Sequence, residues 1–379
     1  MNLLTEEQRS IADAARRFSD GEVRPIAQQI DRDDRFPHPI YRAMAELGFF
    51  GLSLGEAFGG SAMDTVSVCL VMEELARNSA SVGNAFAIPV EAALFLAKHG
   101  TAEQCALIEP ILAGDLLFAT AMTEPDHGTD TAGIRTKAEK VTGGFRLNGT
   151  KAWVTMGGVA DRIIVFARTG DGPGQKAMSC FIVDADQPGV MRGKSEELLG
   201  MHGLEDCQIV LQDAFVPEFG LIGPLDGAFK LAMENFNFSR LMMSSLALGV
   251  AQAALEDAVS YARIRQQFGT PIFSFQAVQL MIGETSAEVD AARLLIHHAS
   301  RLHDAGLPYI KQAAQAKLFT TDMAQRAVTR SLQIHGGNGY SRAYRIERLY
   351  RDVRLTQIFE GANDVLRLVV ARQVEKELA

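Results

Sequence analysis

The amino-acid sequence predicts an α+β fold in which a helical domain, a β domain and a second helical domain follow one another. Apolar residues recur at the helical spacing i, i+3 and i+4 in the first and last thirds of the chain. Between them lie short runs rich in β-branched and aromatic residues, divided by Gly, Asp and Pro. The chain has 379 residues, which is too many for one ordinary core. We therefore predict three domains, at residues 1–115, 116–225 and 226–379.

The first domain is predicted to consist of helices separated by glycine-containing turns. The helical patterns cover residues 5–19, 38–48, 63–77, 85–98 and 102–113. Turn residues such as Gly59, Gly60 and Gly100 separate them. Pro89 is expected to bend or begin its helix, because a proline in a helix interior removes a hydrogen bond.

The middle domain is predicted to be a small β domain, and the last domain a set of long helices. The predicted strands are FRLNGTKAWVT, RIIVFART, MSCFIVDA and CQIVLQDAFV. The later helical patterns cover residues 227–266, 274–304, 308–334 and 362–377. Helices this long offer broad faces for packing, so we expect an oligomer.

Composition limits the classes of partner. Hydrophobic residues make up 47% and charged residues 22%, the profile of a folded globular protein. The formal net charge is −9, so no overall positive field attracts nucleic acid or an anionic membrane. An anionic ligand must therefore be held by local groups.

The cysteines and the apolar runs indicate where the protein works. The four cysteines have no metal-binding or disulfide spacing, which favours a reducing compartment, the cytoplasm. The N-terminus lacks the pattern of a signal peptide. The most apolar long run, residues 241–255, is too short to span a bilayer, so we expect no membrane insertion.

Two segments of the β region are suited to a planar or anionic ligand. LLFATAMTEPDHGTD, residues 116–130, ends a strand-like run in hydroxyls and free backbone N–H groups, although a plain β-turn is the simpler interpretation. NGTKAWVTMGG, residues 148–158, contains the only tryptophan, Trp153. On a regular strand Trp153 and Thr155 point to one face, where a ring beside a hydroxyl could wall a planar cofactor. A single tryptophan is, however, more often part of a core.

Three segments of the C-terminal region carry further candidates. YARIRQQFGTPIFSFQ, residues 261–276, places arginines at a helix end, where a structural cap explains them equally well. QIHGGNGY, residues 333–340, has glycines whose bare backbone could approach a pyrophosphate, or could merely turn the chain. QIFEGANDVLR, residues 357–367, sets Glu360 between an apolar run and a glycine. A surface carboxylate is the ordinary interpretation of such a residue.

The histidines in loops do not indicate a metal site. His127, His202 and His335 have no paired metal-ligand spacing, and we interpret them as structural or surface residues. No metal is predicted.

Taken together and in this order, these segments resemble the acyl-CoA dehydrogenase family of flavoproteins, from about residue 5 to residue 376. The matching stretches are AMTEPDHGTD, LNGTKAWVTMGG, LGMHGLEDCQIVLQDAFVP, YARIRQQFGTPIFSFQ, QIHGGNGY and IFEGANDVLR. The resemblance implies a helical N-terminal domain, a middle β-barrel and a C-terminal four-helix bundle. It also implies a homotetramer with FAD bound at subunit contacts.

The resemblance assigns site residues by position. Those expected around the flavin ring are Met122, Thr123, Trp153 and Thr155, with Thr129 near the phosphates. Those expected at the adenosine pyrophosphate of a neighbouring subunit's FAD are Arg265, Gln267, Phe268, Gln333, Gly336 and Gly337. Those expected to meet the CoA thioester are Phe236, Asn237, Arg240 and Gly361.

The sequence departs from the family pattern at several positions. Asn237 replaces a common Asp, Met156 a common Asn, His127 an Ala and Ala362 a Thr, and Leu204-Glu205-Asp206 stands where a Ser/Thr-bearing run is usual. None of these changes removes a group on which the chemistry depends.

The function implied by the resemblance is that of an FAD-dependent acyl-CoA dehydrogenase, which forms trans-2-enoyl-CoA and passes electrons to an electron-transferring flavoprotein. Glu360 is expected to be the catalytic base, because proton abstraction from carbon needs a carboxylate kept from water. A minority of the family carries its base at the position of Ser239, which cannot accept the proton.

Two other functions are compatible with the same fold: a flavin-dependent oxidase or monooxygenase, and a non-catalytic CoA-ester-binding subunit. The intact Glu360 and the intact cofactor positions favour the dehydrogenase. The helix near residues 84–95 is expected to line the acyl pocket. The sequence leaves open whether Asn84 and Glu91 serve a polar acyl group or face solvent.

Overall fold

The computed structural model describes residues 4–379 and confirms the order of helices, strands and helices. The N-terminal helices are α1 (Glu6–Phe18), α2 (Arg24–Asp33), α3 (His38–Glu46), α4 (Thr65–Asn78), α5 (Ala80–His99), α6 (Ala102–Cys105) and α7 (Ile108–Leu112). The strands that follow are β1 (Phe118–Ala121), β2 (Lys137–Val141), β3 (Gly144–Val154), β4 (Arg162–Arg168), β5 (Met178–Asp184), β6 (Val190–Ser195), β7 (Cys207–Pro217) and β8 (Leu221–Ile222). The last elements are α8 (Ala228–Ile264), the short strands β9 (Gln266–Gln267) and β10 (Thr270–Pro271), α9 (Gln276–Asp304), α10 (Ile310–His335), α11 (Ile346–Val353) and α12 (Asn363–Leu378).

Helix α5 begins earlier than its apolar pattern indicates. The Ser79 side chain accepts a hydrogen bond from the Val82 N–H and so caps the helix, which then runs through Pro89. Pro89 therefore lies inside the helix and does not begin it. The helices α2 and α11 were not predicted, although each is amphipathic and buries apolar residues on one face. They have only 10 and 8 residues, so each shows its apolar repeat over few turns.

The middle domain is a mixed eight-stranded sheet. Along the sheet the strand order is β6-β7-β3-β2-β4-β5-β8, and β1 pairs in parallel with β4. In the part of the chain that the structure describes, this order has ends at β6 and β8, so the barrel expected from the resemblance is not closed by strand pairing. Side chains such as Phe145, Leu147 and Phe181 fill the core on one face of the sheet.

Helix α8 runs through the centre of the molecule and positions the site. Its residues 237–251 are all buried, and it packs against α4, α5, α9 and α10. By length and composition alone, α5 and α8 could each cross a membrane. However, 78% and 89% of their most apolar windows are buried inside the protein, as in core helices.

Candidate active site

The loop before α12 holds its backbone in an unusual conformation. Glu360 has φ of 53° and Gly361 has φ of 94°, both in the left-handed region. Glycine adopts this region freely, whereas glutamate pays a steric cost that its surroundings must offset. Two cations do so, since Arg240 Nε donates to the Glu360 carbonyl at 3.3 Å and Lys317 Nζ donates to the Gly361 carbonyl at 2.9 Å.

Lys317 ties this loop to α10 and α12. It is fully buried, and its ammonium also donates to Asn363 Oδ1 at 3.0 Å. Burial lowers the pKa of Lys317 to about 7, while the nearby Glu360 carboxylate acts in the opposite direction. No sequence motif pointed to Lys317, although a lysine in the apolar stripe of a helix is itself a signal of a buried role.

The carboxyl group of Glu360 has the properties of a base. Burial raises its pKa, and this effect is opposed by Ser239, Arg240 and Lys317. Among residues 4–379 its buried Oε2 atom has no hydrogen-bond partner. A carboxylate with a raised pKa and a free oxygen can accept a proton from carbon.

A second carboxyl group, that of Glu91 on α5, lies beside Glu360. Burial raises the pKa of Glu91 to about 8, and the charge of Glu360 is the next cause. Glu91 therefore faces the candidate base rather than open solvent, and Asn84 is buried. The sequence signal for Glu91 was its place as the one acid in an otherwise apolar helical segment, AIPVEAALF.

The predicted substrate residues gather around the same loop. Arg240 is buried, and its Nη1 donates to Asn237 Oδ1 at 2.8 Å. A neutral amide at this position can still accept that bond, so the replacement of Asp does not release Arg240. Phe236 lines a cavity next to Glu91. Gly361 lies within 3.5 Å of Arg240, measured from the position a Cβ would take.

The residues expected at a flavin ring lie together at one end of the sheet. The Ala152 N–H donates to the Thr123 carbonyl at 2.9 Å, and buried Lys151 donates to the Met122 carbonyl at 3.0 Å. Lys151 also pairs with Glu124 at 2.8 Å. These bonds join the AMTEP and TKAWVT segments.

The expectation of a regular strand at Trp153 is wrong. Strand β3 has a bulge between Lys151 and Val154, and Trp153 itself has φ of 56°. The strand ends at Val154, so Thr155 lies in the following turn. Trp153 is 58% exposed and therefore is not a core residue.

Thr155 has a partner that the sequence did not indicate. Its Oγ1 donates to Asp206 Oδ1 at 2.7 Å. Burial raises the pKa of Asp206 to about 6, and the Thr155 hydroxyl acts against this. Thr129 lies exposed in the loop after β1, with His127 nearby, whose Nε2 is buried without a partner among the described residues.

The other histidines have structural roles. His202 lies within hydrogen-bond distance of the Asp31 and Leu198 carbonyls, and buried His335 within that of the Ser331 carbonyl. The His335 ring also stacks on Tyr261 at 4.3 Å.

The second group of predicted cofactor residues lies on the C-terminal domain. Strands β9 and β10 form a hairpin whose two turn residues, Phe268 and Gly269, have φ of 52° and 81°, as in a type I′ turn. Phe268 is 94% exposed. Also exposed are Arg265, Gln267, Gln333, Gly336 and Gly337. Arg265 and His335 line one cleft of about 690 Å³.

Three descriptions of known protein domains match the chain. They are "Acyl-CoA dehydrogenase, N-terminal domain" at residues 5–115, "middle domain" at 119–214 and "C-terminal domain" at 227–375. The chain belongs to the acyl-CoA dehydrogenase family. This family assignment confirms the resemblance carried by the motifs.

Similar proteins cover nearly the whole chain. An acyl-CoA dehydrogenase of Bacillus subtilis is 38% identical over 97% of this chain and 98% of its own length. Subunit CarC of the caffeyl-CoA reductase-Etf complex of Acetobacterium woodii is 35% identical over 98% and 99%. The structure of butyryl-CoA dehydrogenase from Megasphaera elsdenii has a TM-score of 0.96, 34% identity and coverage of 98% and 99%. An FAD complex of PigA has a TM-score of 0.94, 26% identity and coverage of 98% of both chains.

The protein is therefore an FAD-dependent acyl-CoA dehydrogenase, as its family and its named relatives show. Its residues fit the cofactor. Exposed Trp153 offers a flat surface to a polar ring system, and the Thr155 hydroxyl, two residues further along the chain, offers a hydrogen-bonding group. When bound, FAD supplies the two-electron acceptor that no amino-acid side chain provides.

Proposed function

We propose that Glu360 is the catalytic base of this dehydrogenase and removes the α-proton of the acyl-CoA thioester. The observation that carries the proposal is the buried, unpartnered Oε2 atom of Glu360 beside two cations. Burial makes the carboxylate basic enough to take a proton from carbon, and the cations keep it ionised before the substrate arrives.

The protein residues act by placement. Arg240 and Lys317 hold the carbonyls of Glu360 and Gly361, which fixes the direction of the carboxyl group. By family resemblance the Glu360 N–H would donate to the thioester carbonyl, where negative charge develops as the proton leaves. Because the base and the hydrogen-bond donor belong to one rigid loop, the group that takes the proton and the group that would bind the thioester carbonyl stay at a fixed distance from each other.

We also propose that FAD is shared between chains of a homotetramer. The support is the exposure of Phe268, Gln333 and Gly337 on the C-terminal domain, while Trp153 and Thr155 belong to the middle domain. Met122, Thr123 and Thr129 would complete the ring and phosphate contacts, and Arg265, Gln267 and Gly336 the contacts to the partner's adenosine pyrophosphate.

The proposed electron carrier is an electron-transferring flavoprotein. The support is that one relative, CarC, is named as a subunit of a complex with such a protein. That relative is named a reductase, and the same carboxyl group would return a proton to the α-carbon in the reverse direction. We further propose the cytoplasm as the compartment, supported by four unpaired cysteines.

The experiment is a screen of acyl-CoA thioesters of different length, branching and charge, added without oxygen to the purified protein. We expect a yellow protein with one FAD per chain whose flavin absorbance is bleached by at least one neutral thioester. Bleaching in wild type and in Arg17→Gln, a variant at an exposed site, but not in Glu360→Gln, supports the assignment. A Glu360→Gln protein that bleaches at the wild-type rate contradicts it.

A further inference from the structure

Two carboxyl groups and one hydroxyl meet in the candidate active site. Glu91 comes from α5, Glu360 from the loop before α12, and Ser239 from α8. The Ser239 hydroxyl acts on both carboxyl groups and lowers the pKa of each. Ser239 Oγ and Glu360 Oε2 are both buried and have no hydrogen-bond partner among residues 4–379. The Ser239 hydroxyl and the Glu360 carboxyl group therefore both have unused hydrogen-bonding capacity.

Glu91 also lines a small cavity. Its volume is about 20 Å³, and its apolar walls include Phe95 and Phe166. Its polar lining consists of Glu91, Thr120 and Asn235. A cavity of this size with three polar groups has room for one water molecule. Glu91 is thus within reach of the Ser239 hydroxyl and also lines a place that suits water.

The charges around the pair are unequal. Arg240 from α8 and Lys317 from α10 both attract the Glu360 carboxylate, and no cation is found to act on Glu91 within the described part of the chain. Tyr309 acts on Arg240 and Asp322 acts on Lys317, and neither is among the groups that act on Glu91 or Glu360. When one of the two carboxyl groups is ionised it is therefore Glu360, and Glu91 keeps its proton.

We propose that Glu91 is the proton partner of Glu360, and that the proton taken from the substrate leaves the site through Ser239 and Glu91. This inference rests on the proposed role of Glu360 as the base. Glu91 touches neither substrate nor cofactor in this scheme and acts through Ser239, so it is a positioning residue.

The relay moves one proton and restores both Ser239 and Glu91. After the reaction Glu360 and Glu91 are both protonated. Glu91 gives its proton to water in the cavity. In one concerted step Ser239 then passes its hydroxyl proton to the vacated Glu91 oxygen and takes the proton of Glu360, so no serine alkoxide forms. One proton has then moved from Glu360 to water, and both Ser239 and Glu91 have regained their first state. No electron moves in these steps.

The test compares the FAD-loaded wild type with Glu91→Gln and Ser239→Ala. Glu103→Gln, on the exposed surface of α6, is the matched control. Proton release is followed with a pH indicator in weak buffer while substrate bleaches the flavin. We expect proton release to lag behind flavin bleaching by about tenfold or more in both site variants, whatever their bleaching rate, and to keep pace with bleaching in the wild type and in Glu103→Gln. Equal release in Glu91→Gln and Glu103→Gln overturns the proposal.

A second measurement requires no activity. Difference infrared titration of the holoenzyme should show a protonated carboxyl band that disappears as the pH rises through about 8. The band should be absent in Glu91→Gln and shifted in its titration in Ser239→Ala. A band that titrates alike in wild type and Glu91→Gln overturns the proposal, even if no thioester bleaches the flavin. If no thioester bleaches the flavin but the carboxyl band titrates as expected, only the proposed role of Glu360 is refuted.

Discussion

The loop that carries Glu360 and the hairpin that carries Phe268 both contain a left-handed residue followed by a glycine, yet their surroundings are opposite. The Glu360 loop is fixed inside one chain by Arg240 and Lys317. The hairpin presents Phe268 at 94% exposure, with a ring contact to Phe275 at 6.1 Å. In the proposed scheme the groups that transfer the proton are therefore complete within one chain. The proposed adenosine-binding residues would instead need another surface to cover them.

The largest effect is expected from a substitution that stops proton transfer at Glu360 and leaves FAD binding intact. Glu360→Gln keeps the size of the side chain but removes its basicity, so substrate-driven flavin reduction should lose several kcal/mol of transition-state stabilisation, on the order of a thousandfold or more. FAD content and thioester binding should persist. Stopped-flow bleaching measures the rate, and equilibrium titration with a thioester measures binding. Loss of FAD in this variant would show that proton transfer and FAD binding are not independent.

The next effect tests what holds the loop. Lys317→Met removes a charged donor and leaves the Gly361 carbonyl and Asn363 without it, so the free energy of unfolding should fall by about 2–3 kcal/mol. Lys311→Met, on the same helix but in a surface pair with Glu377, should cost less than about 1 kcal/mol. Denaturant unfolding compares the two. Equal costs would mean that the loop is held by other contacts.

A substitution in the hairpin should affect the assembly of the protein rather than its folding. Phe268→Ser removes an exposed ring, so the fold of the single chain should be unchanged. If the ring packs on a partner, association should weaken by about 2 kcal/mol and FAD should be lost on dilution. Leu47→Ser, at another exposed apolar position, is the control. Sedimentation measures the assembly state and flavin absorbance measures the FAD content. If Phe268→Ser assembles like the wild type, the hairpin does not depend on a partner surface.

The sequence predicted these two regions unequally. Motifs located Glu360 and the hairpin because each is a short segment with glycine and a polar side chain. They did not point to Lys317, and they left the role of Glu91 open, because both roles arise only when α5, α8 and α10 pack together. The strand pattern also misplaced Thr155, because a bulge at Trp153 breaks the two-residue repeat. Helix α5 was placed too late, since a serine cap rather than the apolar pattern sets its start.

A pH-dependent effect separates Glu91 from its neighbours. Its pKa is raised to about 8 in the folded protein, so the folded state holds a proton that the unfolded chain loses above its ordinary pKa. The stability from this group is present at low pH and is lost as the pH rises to about 8. Glu91→Gln cannot ionise, so between about pH 5 and pH 9 its unfolding free energy should rise relative to that of the wild type by roughly several kcal/mol.

The comparison of the wild type with Glu91→Gln separates the contribution of Glu91 from that of the other ionisable groups. Lys317, whose lowered pKa gives the opposite slope, is present in both. Thermal unfolding at several pH values is the measurement. Parallel curves for the two proteins would show that Glu91 ionises normally.

The smallest expected effect stabilises the Glu360 loop. Ala362 is the N-cap residue of α12 and has extended ψ of 142°, but its side chain makes no capping hydrogen bond. A hydroxyl there could accept from a free N–H of the first helical turn, which is worth about 1 kcal/mol. Ala362→Ser should therefore raise the unfolding free energy by about that amount. Ala371→Ser, exposed within the same helix, should lower it slightly, because serine is a poorer helix former than alanine. If both serines lower stability, the loop geometry at Ala362 does not admit a cap.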